Sequence, residues 1–155
     1  MIGLTTAESR QKFMEDTVLF RKQYVISADD PLTFGEASSD IKKTLKQLGV
    51  PPDVIRRAAV SMYEAEINTI IHGGGGEGEV FIYAGRVKIV FRDQGPGIPD
   101  IEKAMQPGFS TASEKAREMG FGAGLGLPNI KKNSDEFTIE SEPGKGTTVT
   151  IIVRL

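Results

Sequence analysis

Most of the 18 glycines in this 155-residue chain fall in four clusters, at 73–78, 95–97, 120–126 and 144–146. Glycine relieves the steric limits on φ and lets a ligand or a second backbone come close, at an entropic cost that makes random placement unfavourable. Clusters of this kind imply shaped loops between regular elements. A flexible linker would mix the glycines with serine or other polar residues, whereas Gly120–Leu127 carries Phe121 and Leu125 between its glycines and Leu127 after the last.

The segments between the clusters read as helices and strands of one α/β domain. Leu4–Arg21 is expected to form an appended helix, since Phe13, Val18, Leu19 and Phe20 make no long regular stripe. The β-prone run around Tyr24, Val25 and Ile26 is expected to be a first strand, stopped at Asp29-Asp30-Pro31. These readings divide the chain into an extension, 1–22, and a main domain, 23–155. From Leu32 to Leu48 the residues Ala37, Ile41, Leu45 and Leu48 keep helical spacing, with Gly49 where a C-cap stands. Pro51-Pro52-Asp53 opens a second helix, whose apolar face runs through Ile55, Ala58, Met62, Ala65 and Ile70 to His72 before Gly73–Gly76 end it.

Val80–Tyr83 and Val87–Phe91 are expected to form a hairpin around Ala84-Gly85. Ile101–Met105 is expected to be a short helix, and the polar stretch from Thr111 to Met119 an exposed helix or loop. A helix is expected after Gly126, then a closing hairpin of 137–141 and 147–153 around Pro143-Gly144. The order implies a two-layer α/β sandwich, its sheet mixed but mostly antiparallel, with helices on one face.

Composition removes several classes of function. There is no cysteine and only one histidine, so thiolate chemistry, disulfides and ordinary zinc sites are excluded, and any metal should be oxygen-ligated. A net charge of -2, from 19 basic and 21 acidic residues, gives no general attraction to nucleic acid. No apolar run approaches the roughly 20 residues of a membrane span. The opening MIGLTTAESRQKFMEDTV is charged and has no signal-peptide core, so the expected location is the cytoplasm.

Three constellations carry chemistry. Glu64 and Asn68, four apart on the second helix, share a face where a carboxylate and an amide can meet one ligand. An amide oxygen suits Mg²⁺, which takes few protein ligands when phosphates supply the rest, and a neighbouring carboxylate can accept a proton. Glu66, two positions on, points elsewhere and reads as surface. Asp93-Gln94-Gly95-Pro96-Gly97 follows an apolar strand and places an acceptor suited to an exocyclic amine such as that of adenine beside two glycines. Gly122, Gly124 and Gly126 precede a helix, where backbone amides bind phosphate oxygens. No Gly-Lys-Ser/Thr ending is present, so this is not a Walker loop. Each constellation alone has an ordinary structural explanation, respectively a solvated helix face, a turn and a linker.

In this order the segments resemble the gyrase, heat-shock chaperone, histidine kinase and mismatch-repair ATPase superfamily with its Bergerat nucleotide-binding fold, over about Val54 to Val153. The resemblance makes Glu64-x-x-x-Asn68 the N-box, Asp93-x-Gly95-x-Gly97 the adenine box, Gly122-x-Gly124-x-Gly126 the second glycine box and Gly146-Thr147 the closing pair. Asn68–Gly73, Arg92–Ile98, Pro107–Thr111 and Gly144–Val149 look most like bacterial anti-sigma-factor and stress-switch serine kinases.

The resemblance implies ATP with its adenine on Asp93, Gly97 and Thr147, Mg²⁺ on Asn68, and Glu64 as base toward a Ser or Thr of a partner, an antagonist-type domain or sigma factor. Lys115 or Arg117 would neutralise phosphate charge, and a homodimer is compatible with it. Two other outcomes are a sequestering module without catalysis and a stand-alone histidine-kinase-type domain. His72 is expected to be a structural or site-rim histidine rather than a phosphoacceptor. The N-terminal extension and the charged segment Ser113–Glu118 depart from shorter switch kinases and bear on the partner.

Overall fold

The computed structural model describes residues 6–108 and 126–155. In chain order they form α1 (Thr6–Asp16), β1 (Phe20–Ser27), a 3₁₀ turn (Pro31–Thr33), α2 (Glu36–Gln47), α3 (Pro52–Ile71), β2 (Gly75–Ile82), β3 (Arg86–Asp93), α4 (Ile101–Ala104), α5 (Gly126–Asn133), β4 (Glu136–Glu142) and β5 (Gly146–Arg154). The five strands make one sheet in the order β1-β2-β3-β5-β4. Each neighbouring pair is antiparallel, so the α/β sandwich expected from the sequence is borne out and its sheet is wholly antiparallel rather than mixed.

Alternation along the strands puts Val80 and Ile82, Val87, Ile89 and Phe91, and Val149, Ile151 and Val153 into one core with Ile55, Ala58, Met62 and Ala65 of α3. Ile41 and Leu45 of α2 and Leu127 and Ile130 of α5 complete it. Burying each large aliphatic side chain is worth roughly 1.5–3 kcal/mol, well above the helix propensity of up to about 0.7 kcal/mol that separates ordinary residues, so packing decides where α3 lies. No helix among the described residues is long and apolar enough to cross a membrane.

Three local expectations are corrected. Phe20 and Arg21 belong to β1, where they pair with Ile82 and Phe81, so the boundary drawn at 22/23 falls inside a strand. The preceding α1 buries none of its residues, in keeping with its lack of an apolar stripe. The glycines after α3 do more than end a helix, because β2 already begins at Gly75. A β-carbon on Gly76 would lie 2.1 Å from the Arg92 carbonyl oxygen, and one on Gly78 would lie 2.8 Å from the Phe91 ring.

The third correction concerns Glu66, which is only 2% exposed. Its face of α3 meets the start of α2, where Gly35 sits at φ 90° and supplies no side-chain cap. The Glu66 carboxylate takes that role: Oε2 accepts from the N–H of Gly35 at 2.9 Å and of Ala37 at 3.4 Å, and Oε1 from that of Ser38 at 3.0 Å. An anion here satisfies orphan donors and meets the positive end of the helix dipole.

Ser61 on α3 is fully buried, and its hydroxyl has no hydrogen-bond partner among the described residues. Replacing it with alanine removes a desolvated polar group without opening a large void. We expect Ser61→Ala to be neutral or stabilising by up to about 1 kcal/mol. Denaturant unfolding checks this, and a loss of more than about 1 kcal/mol would show that the hydroxyl is satisfied after all.

Candidate functional site

Glu64 and Asn68 stand one turn apart on α3 and both are half-buried. Gly126, the first residue of α5, lies on them. A β-carbon at Gly126 would come within 3.0 Å of Glu64 Oε2 and 3.3 Å of both terminal atoms of the Asn68 amide. Any side chain there would fill the space beside these polar groups. The glycine therefore brings the N-terminus of α5, the positive end of its dipole, next to a carboxylate and an amide. Phosphate oxygens suit such a place.

Burial pushes the Glu64 carboxyl above its ordinary pKa, and a hydrogen bond from the Asn129 side chain pulls the other way. Asn129 was not among the candidates read from the sequence. It follows Gly126 by three residues, so it shares the face of α5 that meets α3.

Asp93 ends β3 directly opposite Thr147 of β5, so strand register brings together two residues 54 positions apart. Its Oδ1 accepts from the Gly95 N–H at 3.0 Å. A β-carbon on Gly73 would lie 2.5 Å from Cβ and Cγ of Asp93, so this carboxylate is pressed against the C-terminus of α3. Asn68 and Gly73 are five residues apart, about 7.5 Å along a helix axis, which places the two constellations side by side. His72 caps α3 at this junction. Burial lowers its pKa, with the nearby Asp93 charge opposing.

Gly95 and Gly97 are each packed closely by protein on the side where a β-carbon would stand. A β-carbon on Gly95 would meet Gly73 Cα at 2.8 Å, and one on Gly97, where φ is 78°, would meet the Glu142 carbonyl oxygen at 2.4 Å. Ser141, also not foreseen, ties this turn to β4 and β5. Its Oγ accepts from the Ile98 N–H at 2.7 Å and lies 2.9 Å from Thr147 Oγ1. No local pattern marks it, since it is one polar position in an alternating strand. Gly122, Gly124, Lys115 and Arg117 lie outside the described residues.

The oxygen donors of Glu64 and Asn68 fit a hard cation. Among the described residues no three His, Cys, Asp or Glu side chains cluster as a metal cage, so Mg²⁺ here would draw most of its ligands from phosphate and water.

Residues 55–155 match the family model described as "Histidine kinase-, DNA gyrase B-, and HSP90-like ATPase". The chain belongs to this family. The superfamily expected from the four ordered motifs is thus borne out, and with it ATP as the expected ligand. Among similar proteins is the serine/threonine-protein kinase RsbT of Bacillus subtilis (strain 168), 36% identical over 115 residues, covering 72% of this chain and 80% of the relative. Another is the anti-sigma F factor of Geobacillus stearothermophilus, 38% identical over 109 residues, covering 66% of this chain and 71% of the relative.

These names fall in the kinase and anti-sigma class that the motifs implied. The fold of this ATPase-family chain is also that of the crystal structure of the RsbU and RsbW domains of Rv1364c from Mycobacterium tuberculosis. The TM-score is 0.61 at 17% identity, covering 88% of this chain and 32% of the other. The SiaB-SiaC complex from Pseudomonas aeruginosa gives a TM-score of 0.57 at 11% identity, covering 94% and 95%.

Proposed function

We propose that this chain is an ATP-dependent serine/threonine protein kinase of the cytoplasm that phosphorylates a small regulatory protein, an antagonist-type domain or sigma factor. The observation that carries this reading is the half-buried Glu64 carboxylate beside the Asn68 amide, at the N-terminus of α5. A protein that only sequestered its partner would need the nucleotide contacts but not a base. The names of the kinase RsbT and of the anti-sigma F factors support the same class.

In this reading Asp93, Thr147 and the Gly97 turn hold the adenine, and Asn68 holds Mg²⁺. The metal supplies charge neutralisation to the phosphates. Backbone N–H groups from Gly122 to Gly126 bind the phosphates, and Lys115 and Arg117 offset the charge that develops on transfer. Glu64 accepts the proton of the partner's hydroxyl as that oxygen bonds to the γ-phosphorus and the bond to the departing ADP breaks. Positioning and charge do most of this work, which a domain of this size can supply.

Two measurements test the reading. Asn68→Ala should lower the affinity for Mg-ATP by about tenfold or more, about 1.4 kcal/mol, and should leave metal-free ATP binding near its starting value. Calorimetry with and without Mg²⁺ reads this, and an undiminished Mg²⁺ effect removes Asn68 as the ligand. Labelled phosphate transferred to the partner should be acid-stable, as on serine or threonine. An acid-labile product would assign the chain to histidine phosphorylation instead.

A further inference from the structure

The contact between α3 and α5 does more than present a helix terminus. We propose that Asn129 is the positioning residue for the proton-accepting carboxylate, its side-chain N–H holding Glu64 in the orientation that meets the partner's hydroxyl. The inference rests on the reading of Glu64 as the base.

Three observations support it. Gly126 seats the first turn of α5 against Glu64 Oε2, and helical spacing sends residue 129 to that same face. Asn129 is half-buried, and its side chain lies near enough to the Glu64 carboxyl to oppose the effect of burial on it. The far end of the short helix is braced independently, because Asn133 Nδ2 donates to the Asn129 carbonyl at 2.8 Å and Asn133 Oδ1 receives Arg56 Nη1 at 3.4 Å. Asn129 is thus carried on a helix fixed at both ends.

The residue type also fits the task. An ionised carboxylate has about four lone-pair sites and no donor, so one amide N–H can fix its plane and leave acceptor sites for the incoming proton. A lysine or arginine here would form an ion pair that reduces the carboxylate's basicity, and an aspartate would repel it. An asparagine orients without either effect. Misplacing a catalytic group by about 1 Å can cost about a hundredfold in rate, so losing this bond should be felt in turnover rather than in nucleotide affinity.

The test is a double-mutant cycle on the full chain, reading phosphoryl transfer to the partner at saturating ATP and ATP affinity by calorimetry. Asn129→Ala should lower kcat by between about tenfold and a hundredfold with ATP affinity within about twofold of wild type. In a Glu64→Gln background the same substitution should lower the residual rate by less than about twofold, because its effect runs through the carboxylate. Asn129→Asp keeps the shape and packing but offers no N–H, so it should be at least as slow as Asn129→Ala. Asn129→Ser, which retains a donor, should recover part of the rate.

An Asn129→Asp protein as fast as wild type would reduce the residue to packing, and equal losses from Asn129→Ala in both backgrounds would overturn its action through Glu64. Failure of the parent reading looks different: Glu64→Gln alone would then transfer at the wild-type rate. Should Asn129→Ala unfold, the isosteric Asn129→Asp decides alone.

Discussion

Glu64→Gln is expected to bind ATP within about twofold of wild type and to transfer phosphate roughly 10²–10⁴-fold more slowly, the usual contribution of a positioned base. Glutamine has the size of glutamate, so the close approach of Gly126, where a β-carbon would lie 3.0 Å from Glu64 Oε2, needs no rearrangement. Its amide oxygen can still accept the Asn129 N–H. What it lacks is basicity.

A pH profile adds a second criterion. The base works ionised, so the rate falls as pH drops through its folded pKa. Burial raises that pKa, so the fall begins at a higher pH than for an exposed carboxylate, moderated by the Asn129 bond. This acid limb should be missing from the residual activity of Glu64→Gln. Labelled transfer to the partner and calorimetry on the same preparation give both numbers. A mutant as fast as wild type would remove Glu64 from the mechanism. A wild type that binds ATP and partner yet transfers nothing would favour sequestration.

The parts of this site that depend on local geometry are legible in the sequence. Glu64 and Asn68 needed only the helical repeat, and Asp93 only a strand followed by a glycine turn. The pairing of Asp93 with Thr147 was accessible only through the family resemblance, since register between distant strands follows from the packed core and not from either segment. A packing reason for glycine at 95 and 97 was not legible. Their small size is needed, but the neighbours that demand it are Gly73 and Glu142, which no spacing rule connects to them.

The misreadings share one cause. Glycine is depleted in strands, so Gly75, Gly76 and Gly78 read as punctuation; the close approach of β3 overrides that preference. Phe20 and Arg21 were joined to a helix because a short apolar run is ambiguous until a partner strand is known, and β2 supplies the partner. For Asn129 the sequence held a usable sign, its spacing of three from Gly126, but nothing identified α3 as the surface that α5 would meet.

Glu66 is the clearest case, and it carries the largest expected effect on stability. Helical periodicity places it correctly on a face away from Glu64 and Asn68, but periodicity does not say what covers that face. One clue was available: the segment that becomes α2 starts at Gly35-Glu36 with no Ser, Thr, Asp or Asn at its N-cap, so its first N–H groups needed an acceptor from elsewhere.

Glu66→Ala would strand the N–H groups of Gly35 and Ser38, now bonded at 2.9 and 3.0 Å, and remove the weaker contact to Ala37. Each buried donor left unpaired costs about 1–3 kcal/mol, so a loss of about 3 kcal/mol is expected. That is a large fraction of the roughly 5–15 kcal/mol that holds a domain together. In a domain of this size it corresponds to a fall of about 6–12 °C in Tm. Glu66→Gln retains one acceptor oxygen and should lose about half as much. Below the transition, ATP affinity should survive in both variants, because Glu64 and Asn68 lie on another face of α3. Thermal unfolding followed by circular dichroism, paired with calorimetry, separates the two effects. A Glu66→Ala protein melting within about 2 °C of wild type would mean that α2 does not depend on this carboxylate. A variant that folds normally but no longer binds ATP would mean that Glu66 serves the site rather than the scaffold.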